Sequence, residues 1–208
     1  MRRVWVDAEA PQRDALEEAA KWIARGRVIA IPTDTLYGLA ADPFQPDAVR
    51  RVFAIKERPP DQPVPLIAAD AAQVASTLGP LNPIALALAA RYWPGPLTLI
   101  VEAPFSIARD VTAGTGTVGV RVPRHEVARA IVRMCGRPVT ATSANLSGQP
   151  ATDDPDVVED TLGARIELLI DTGKTAGGPP STIVDTTTAT PRLVRAGAIA
   201  WDEIQRWL

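Results

Sequence analysis

The sequence has very few residues that form cross-links or bind transition metals. Cys135 is its only cysteine and His125 its only histidine. A single cysteine cannot form a disulfide within the chain, and structural zinc sites draw most of their four ligands from cysteine and histidine. A serine hydrolase would have to use His125, and no nucleophile-elbow motif accompanies it. We therefore expect no disulfide, no metal site formed by the protein, and no Ser-His-Asp chemistry.

Long apolar runs and an excess of positive charge are also missing. Apolar stretches such as residues 84–88 are far too short to cross a bilayer, and no amino-terminal segment resembles a signal peptide. The formal net charge is -2, so the whole chain lacks the cationic character of a nucleic-acid coat protein. This net charge does not exclude a local cavity lined by basic residues. We expect a protein of the reducing cytoplasm that does not associate with membranes.

The sequence does contain a mixture of helical and strand patterns. Its 208 residues, 46% of them hydrophobic, can bury a substantial core, and we expect one domain over residues 1–208. Apolar spacing predicts helices over 13–25, 46–56, 70–78, 82–92, 125–134, 155–162 and 202–208. Short apolar runs predict strands over 28–31, 64–68, 97–101, 118–122, 138–141, 168–170, 183–185 and 193–195. Because strands and helices do not strictly alternate, we predict an α/β fold with a twisted, mixed parallel and antiparallel sheet flanked by helices.

Two polar stretches each follow a predicted element. Lys56 and Arg58 lie at the exit of the second predicted helix, before two prolines that stop it. Cations in that position often do no more than complement the helix dipole. Ser143 and Asn145 follow a predicted strand, in a stretch with the composition of a turn. Since α/β sheets bind ligands in the loops beyond strand ends, the two stretches together predict a site for an anionic ligand.

Two glycine-rich stretches resemble nucleotide-binding motifs without fitting them. Residues 114–119 read GTGTVG, but the residues that follow favour a strand where a dinucleotide-binding fold requires a helix. Residues 173–175 read GKT, yet the earlier glycine of a phosphate loop is absent and residues 177–179 would prevent a following helix. We interpret the second stretch as a flexible loop.

Several segments together carry a resemblance to a known family. The two polar stretches match a KxR and a later SxN. Further matches follow in order, with PTDTLYGL at 32–39, WPGPLTL at 93–99, VRVP at 120–123, STIVD at 181–185 and RAGAI at 195–199. Over roughly residues 15 to 200, the chain is similar to the YrdC-like threonylcarbamoyl-AMP synthase family. It looks like the short form of that family, without an extra carboxy-terminal domain.

The resemblance implies an enzyme, a nucleotidyltransferase acting in tRNA modification. The amine of L-threonine would capture bicarbonate or CO2, and the new carboxylate would attack the α-phosphorus of ATP and release pyrophosphate. Mg²⁺ would arrive with ATP as its cofactor. Downstream threonylcarbamoyl-transferase proteins would receive the threonylcarbamoyl-AMP product.

The resemblance also implies a role for individual residues. The catalytic residues would be Lys56, Arg58, Ser143 and Asn145. The ATP-binding residues would be Lys56, Arg58, Thr117, Ser143, Asn145, Ser181 and Arg195. Thr35 and Arg121 would bind threonine, with Arg121 clamping the carboxylate through two hydrogen bonds.

Two other functions remain open. Lys56, Arg58, Arg121 and Arg195 could hold the backbone of tRNA or other double-stranded RNA, in a binding module without synthase activity. RNA affinity should then fall steeply with salt, whereas a synthase should bind a single ATP in a threonine-dependent way. The related carbamoyl-adenylate domain of hydrogenase-maturation proteins is the other alternative. Those proteins carry additional zinc-finger and acylphosphatase-like segments, which we do not recognise in this sequence.

Overall fold

The computed structural model describes residues 1–59 and 61–208. Within these ranges eleven strands form two sheets, and eight helices pack against them. The strands are β1 Arg2–Trp5, β2 Ile29–Ile31, β3 Gly38–Ala40, β4 Leu66–Ile67, β5 Leu97–Glu102, β6 Thr117–Arg121, β7 Val139–Thr140, β8 Thr142–Ser143, β9 Leu168–Asp171, β10 Thr182–Asp185 and β11 Arg192–Arg195. The helices are α1 Arg13–Ala24, α2 Pro46–Lys56, α3 Ala71–Leu78, α4 Pro83–Tyr92, α5 Arg109–Thr112, α6 Glu126–Cys135, α7 Pro155–Leu162 and α8 Trp201–Gln205.

Both sheets combine parallel and antiparallel pairs, which confirms the predicted mixed α/β class. The five-stranded sheet has the order β1-β9-β2-β3-β8, with parallel pairs in its first half and antiparallel pairs from β2 onward. The six-stranded sheet has the order β11-β10-β5-β6-β4-β7, in which antiparallel and parallel pairs alternate. The strands that we assigned to a sheet are therefore divided between two.

The apolar faces of the helices explain how the two sheets are covered. α1 and α6 pack on one face of the five-stranded sheet, while α2 and α7 pack on its other face. α3, α4, α5 and α8 pack on one face of the six-stranded sheet. Burial of these side chains is the main favourable contribution to folding, at about 25 cal/mol per Å² of apolar surface.

A short bent segment connects the two sheets. β7 is the edge strand of the six-stranded sheet and β8 is the edge strand of the five-stranded sheet, and only Ala141 separates them in the chain. The Ala141 amide donates to the carbonyl of Pro65, the residue before β4, at 2.8 Å. The sheets therefore meet where Ser143 and the residues after it leave β8.

Several helix starts follow from side-chain caps. Asp70 accepts a hydrogen bond from the Gln73 amide at the start of α3, and Asn82 caps α4 in the same way. Asp154 caps α7 by accepting a hydrogen bond from the Asp156 amide. Among the helices of the described ranges, none has both the length and the apolar character needed to cross a membrane.

Three strands and one helix were not predicted. β3 lies between two predicted elements, and β8 begins where we predicted a turn. These strands are three and two residues long and pair with each other, so their hydrogen bonds come from distant parts of the chain rather than from a local pattern. β1 is a largely exposed edge strand, and α5 is a single turn. The other predicted elements, except the last helix, are confirmed to within two residues at each end.

The last helix is shorter than predicted. α8 ends at Gln205, and Ile204 is its only fully buried residue. Trp207 and Leu208, which lie within the predicted helix but beyond the end of α8, are exposed. The Trp207 ring instead lies 4.7 Å from the Arg91 guanidinium. These exposed side chains add no packing that would extend so short a helix.

Candidate functional site

Lys56 is buried at the end of α2 and holds the segment that follows β8. Its side chain is 2% exposed. The ammonium donates to the Ser143 carbonyl at 2.5 Å, the Asn145 carbonyl at 2.8 Å and the Asn145 Oδ1 at 2.8 Å. The Ser143 hydroxyl also donates to the Asn145 Oδ1, at 2.5 Å. The KxR and SxN segments are thus in direct contact.

These bonds occupy all the donors of Lys56. An ammonium group has three N–H bonds, and Lys56 already has three oxygen acceptors within hydrogen-bonding distance. Contact between Lys56 and a phosphate, which the family resemblance implies, would require one of these bonds to break. The geometry favours Lys56 as the residue that positions Ser143 and Asn145, and a direct phosphate contact stays a prediction.

We expect the segment at Ser143 and Asn145 to respond to pH through Lys56. Burial, followed by the charge of Arg58, disfavours the ammonium form and lowers the pKa of Lys56 to about 8. Above that pH the neutral amine has two N–H donors for three acceptors, so one bond is lost. The side-chain amide signal of Asn145 in NMR spectra should shift with a midpoint near pH 8. Lys56→Met should remove this transition, and an unchanged wild-type signal between pH 7 and 9 would contradict the assignment.

Arg58 lies just beyond α2 in a tight helix end. Glu57 adopts the left-handed conformation with φ of 54°, and this turns Arg58 back toward the helix. Its guanidinium donates to the Pro63 carbonyl at 2.8 Å and approaches the Thr142 hydroxyl at 3.4 Å, while its buried Nε has no hydrogen-bond partner within the described ranges. Burial lowers the pKa of Arg58.

Neither Lys56 nor Arg58 forms a salt bridge with a carboxylate of the described residues. Removing a cation from water costs free energy unless a partner compensates it. An anion bound beside Arg58 would supply that compensation. This pair is therefore suited to a negatively charged ligand.

The face of the six-stranded sheet that points away from α3, α4, α5 and α8 carries further predicted residues. Side chains alternate along β6, so Thr117, Gly119 and Arg121 point away from the helix-covered face. A Cβ at Gly119 would lie 3.2 Å from the Thr98 methyl group, so the absence of a side chain at Gly119 avoids a tight contact on this face. The Thr117 hydroxyl is 3.1 Å from that of Thr115. The face could accommodate a flat or extended ligand.

Ser181 and Arg195 continue this face across the neighbouring strands. Ile183 of β10 pairs with Thr98 on one side and Arg195 on the other, so these three residues share a face. The Arg195 guanidinium donates to the Ser181 carbonyl at 2.8 Å, and the Ser181 and Thr98 hydroxyls lie 2.8 Å apart. Burial, followed by the charge of Arg121, lowers the pKa of Arg195. Both arginines therefore contribute positive charge to one region.

Arg121 is fixed by two other motif segments. It is 9% exposed at the end of β6. Its Nε donates to the Gly95 carbonyl at 3.0 Å, and its Nη2 pairs with the Oδ1 of Asp34. Arg121 of the VRVP segment thus bonds to both the WPGP and the PTDT segments, and its guanidinium is held in one orientation.

The loop that carries Thr35 is tied to the segment after β9. Thr175 donates to the Thr35 carbonyl at 2.7 Å, and the Gly177 amide donates to the same oxygen at 2.9 Å. The Tyr37 hydroxyl donates to the Gly173 carbonyl at 2.7 Å. The GKT stretch is a loop, as interpreted, and these bonds connect it to the PTDTLYGL segment.

A cavity of about 740 Å³ opens next to Thr35. Polar residues on its wall include Asp34, Thr35, Arg124, His125, Lys174 and Thr175. His125 lines this cavity, and its Nδ1 is buried without a partner in the described ranges. Burial lowers the pKa of His125 despite the opposing charges of Asp34 and Glu126, so the imidazole is neutral at neutral pH.

Most of the chain is similar to proteins of one known family. A family model described as Telomere recombination, Sua5/YciO/YrdC, matches residues 21–197. The chain belongs to the Sua5/YciO/YrdC family. Threonylcarbamoyl-AMP synthase from Pyrococcus abyssi is 40% identical over 93% of the chain, and the enzyme of that name from Bacillus subtilis is 38% identical over 91%. The crystal structure of P. abyssi Sua5 complexed with L-threonine superposes on 100% of the chain with a TM-score of 0.94 and 36% identity.

This Sua5/YciO/YrdC chain is shorter than those relatives. It spans 58% of the P. abyssi enzyme and 55% of the B. subtilis enzyme, and it covers 61% of the crystallised Sua5 chain. The family and the fold follow directly from these matches.

Two residues beside the predicted site of this Sua5/YciO/YrdC chain, Asp34 and His125, were not predicted to take part in it. Asp34 was quoted within a motif but given no role, and His125 was set aside. The charge of Asp34 in an otherwise uncharged segment was the available signal. No local pattern indicates that His125 lies near Asp34, because Asp34 lies in the loop between β2 and β3 of the five-stranded sheet and His125 follows β6 of the six-stranded sheet.

Proposed function

We propose that this protein is an L-threonylcarbamoyl-AMP synthase, a nucleotidyltransferase. The nitrogen of L-threonine would form a bond to the carbon of CO2 with loss of a proton, or to the carbon of bicarbonate with loss of water, giving an N-carboxylate. An oxygen of this carboxylate would attack the α-phosphorus of ATP while the bond to the β-phosphate oxygen breaks and pyrophosphate leaves. The observation that carries the proposal is the contact between Lys56 and the Ser143–Asn145 segment. Arg58 lies beside this contact as a partly buried cation with no carboxylate partner among residues 1–59 and 61–208.

ATP is proposed to lie along the part of the six-stranded sheet that carries Thr117, Ser181 and Arg195, on the face that points away from α3, α4, α5 and α8. Arg58 would bind the phosphates with its forked guanidinium, which suits two oxygens better than lysine does. Lys56 would hold Ser143 and Asn145 in place, and these would contact phosphate or ribose. Thr117, Ser181 and Arg195 would contact the rest of the nucleotide, in keeping with their shared position on that face.

L-Threonine is proposed to bind at Arg121 and Thr35. Arg121 bonds to Gly95 and Asp34 and has amino groups left to receive a carboxylate. Thr35 lies on the neighbouring loop, whose backbone is held by Thr175. The similarity to a Sua5 structure complexed with L-threonine supports this choice of amino acid.

The remaining partners follow from the reaction. Mg²⁺ would enter as part of the substrate, bound to the phosphates of ATP, where it retains several waters and neutralises developing charge. Bicarbonate would be the third substrate. The product would pass to threonylcarbamoyl-transferase proteins that modify tRNA, and the protein would work in the cytoplasm. No part of the chemistry requires the protein to supply its own nucleophile, because catalysis of this type relies on positioning and charge neutralisation.

Pyrophosphate release tests the proposal directly. The purified protein should release pyrophosphate from MgATP only when L-threonine and bicarbonate are both present. Omitting either one should reduce the rate to background, which rules out simple ATP hydrolysis. Mass spectrometry should detect threonylcarbamoyl-AMP in the complete mixture.

The alternative of an RNA-binding module makes the opposite prediction. Folded protein that releases no pyrophosphate under any combination, and that binds double-stranded RNA or tRNA with a steep salt dependence, would favour that function. L-Serine in place of L-threonine serves as the control for selectivity of the amino-acid site.

A further inference from the structure

Asp34 has one carboxylate oxygen engaged and the other free. Its Oδ1 accepts from the Nη2 of Arg121, whereas its Oδ2 has no hydrogen-bond partner among the described residues. The side chain is 16% exposed and belongs to the wall of the 740 Å³ cavity. A mostly buried carboxylate with a free oxygen at a cavity is able to accept a cationic or N–H donor from a ligand.

The orientation of Arg121 next to this oxygen is determined by its other partner. The Gly95 carbonyl accepts from the Nε of Arg121 at 3.0 Å. A Cβ on Gly95 would lie 2.5 Å from the Tyr92 carbonyl oxygen, so only glycine fits where the chain presents this acceptor. With Nε and Nη2 engaged, the Nη1 of Arg121 has no partner among the described residues. A free carboxylate oxygen and a free guanidinium nitrogen therefore lie on two side chains that contact each other.

This pair matches the charges of an α-amino acid. A zwitterion carries a carboxylate and an ammonium group on one carbon atom, so its two charges need opposite partners a few ångströms apart. Arg121 offers the cation and Asp34 the anion. His125 beside them is neutral at neutral pH, since burial lowers its pKa, so it adds no charge of its own to this pair.

We propose that Asp34 is a specificity-determining residue of the amino-acid site, in which its free Oδ2 receives the α-ammonium group while Arg121 receives the carboxylate. This proposal rests on the proposed function and identifies the ligand as an L-α-amino acid recognised through both charges. The contact can outlast the first chemical step, because the nitrogen keeps one N–H after it is carboxylated. Asp34 also positions Arg121 through its Oδ1.

Ligands that lack one charge separate these two contributions of Asp34. The binding of L-threonine, 3-hydroxybutanoate and 1-aminopropan-2-ol would be measured by calorimetry. The second compound lacks the amine and the third lacks the carboxylate. Each titration would contain magnesium and an ATP analogue with a non-cleavable α–β linkage, so that no turnover occurs. The proteins would be wild type, Asp34→Asn, and Asp47→Asn as a control with an exposed carboxylate far along α2 from Lys56.

We expect Asp34→Asn to weaken L-threonine binding by about tenfold or more, the effect of losing a charged hydrogen bond. Its amide oxygen can still accept from Arg121, so binding of 3-hydroxybutanoate should change by less than about twofold. Asp47→Asn should leave all affinities unchanged. This pattern would distinguish recognition of the ammonium from a purely structural role, which would weaken both carboxylates equally.

Equal weakening of L-threonine and 3-hydroxybutanoate in Asp34→Asn, or no change in either, would overturn the proposal. If wild type binds L-threonine but releases no pyrophosphate, the proposed function fails and the assignment of Asp34 is still decided by the variant. If wild type binds neither L-threonine nor 3-hydroxybutanoate, the amino-acid site itself is wrong and the assignment falls with it.

Discussion

Arg58→Ala is expected to lower kcat/KM for threonine-dependent pyrophosphate release by about 100-fold or more. Removing one donor that stabilises charge at a transition state typically costs 100-fold to 1000-fold, and the guanidinium of Arg58 is a partly buried donor without a competing carboxylate in the described ranges. The effect should fall on both ATP affinity and turnover, because the charge on the phosphates increases as pyrophosphate leaves. Steady-state kinetics with ATP as the varied substrate would measure it.

Two control variants sharpen this test. Arg58→Lys keeps the charge but loses the fork, so we expect intermediate activity. Arg51→Ala removes an exposed arginine from the same helix and should leave kinetics unchanged. Activity of Arg58→Ala within about threefold of wild type, with intact folding, would exclude Arg58 from the phosphate site.

Much of the fold could be predicted from the sequence because its helices are amphipathic and end at clear signals. α2 shows this well, since apolar residues at helical spacing precede two prolines and the structure ends the helix at Lys56. The division of the strands into two sheets could not be predicted. It depends on pairing between β3 and β8, two very short strands about a hundred residues apart. That the 208 residues form a single domain stays a prediction.

The candidate site was only partly accessible to sequence reasoning. The KxR and SxN segments were paired correctly, and the structure brings Lys56 against Ser143 and Asn145. Their roles were harder to assign, because a motif shows which residues occur together and not which donors are already in use. Lys56 illustrates the difference, since its charge suggests a phosphate ligand and its three protein acceptors favour a positioning role.

The RAGAI and STIVD segments show that a motif can also reflect close packing. The chain around Gly197 passes directly over the backbone between Pro180 and Thr182. The Ala198 amide donates to the Pro180 carbonyl at 2.9 Å, and the Thr182 hydroxyl donates to the Ile199 carbonyl at 2.7 Å. A Cβ on Gly197 would lie 2.3 Å from the Pro180 carbonyl oxygen and 2.5 Å from backbone atoms of the next two residues. Backbone cannot move aside as the end of a flexible side chain can.

Gly197→Ala is therefore expected to destabilise the protein by about 3 kcal/mol or more, which for a chain of this size lowers the melting temperature by roughly 10 °C. The displaced segment carries Arg195, and its hydrogen bond to Ser181 should be lost as well, so ATP affinity should fall in protein that remains folded. Calorimetric melting and ATP titration at a temperature well below the transition would measure the two effects separately. Ala196→Ser, which adds one atom to an exposed neighbour, should change neither. A melting temperature for Gly197→Ala within about 2 °C of wild type would mean that the two segments can separate without cost, and that glycine at this position does not depend on the contact.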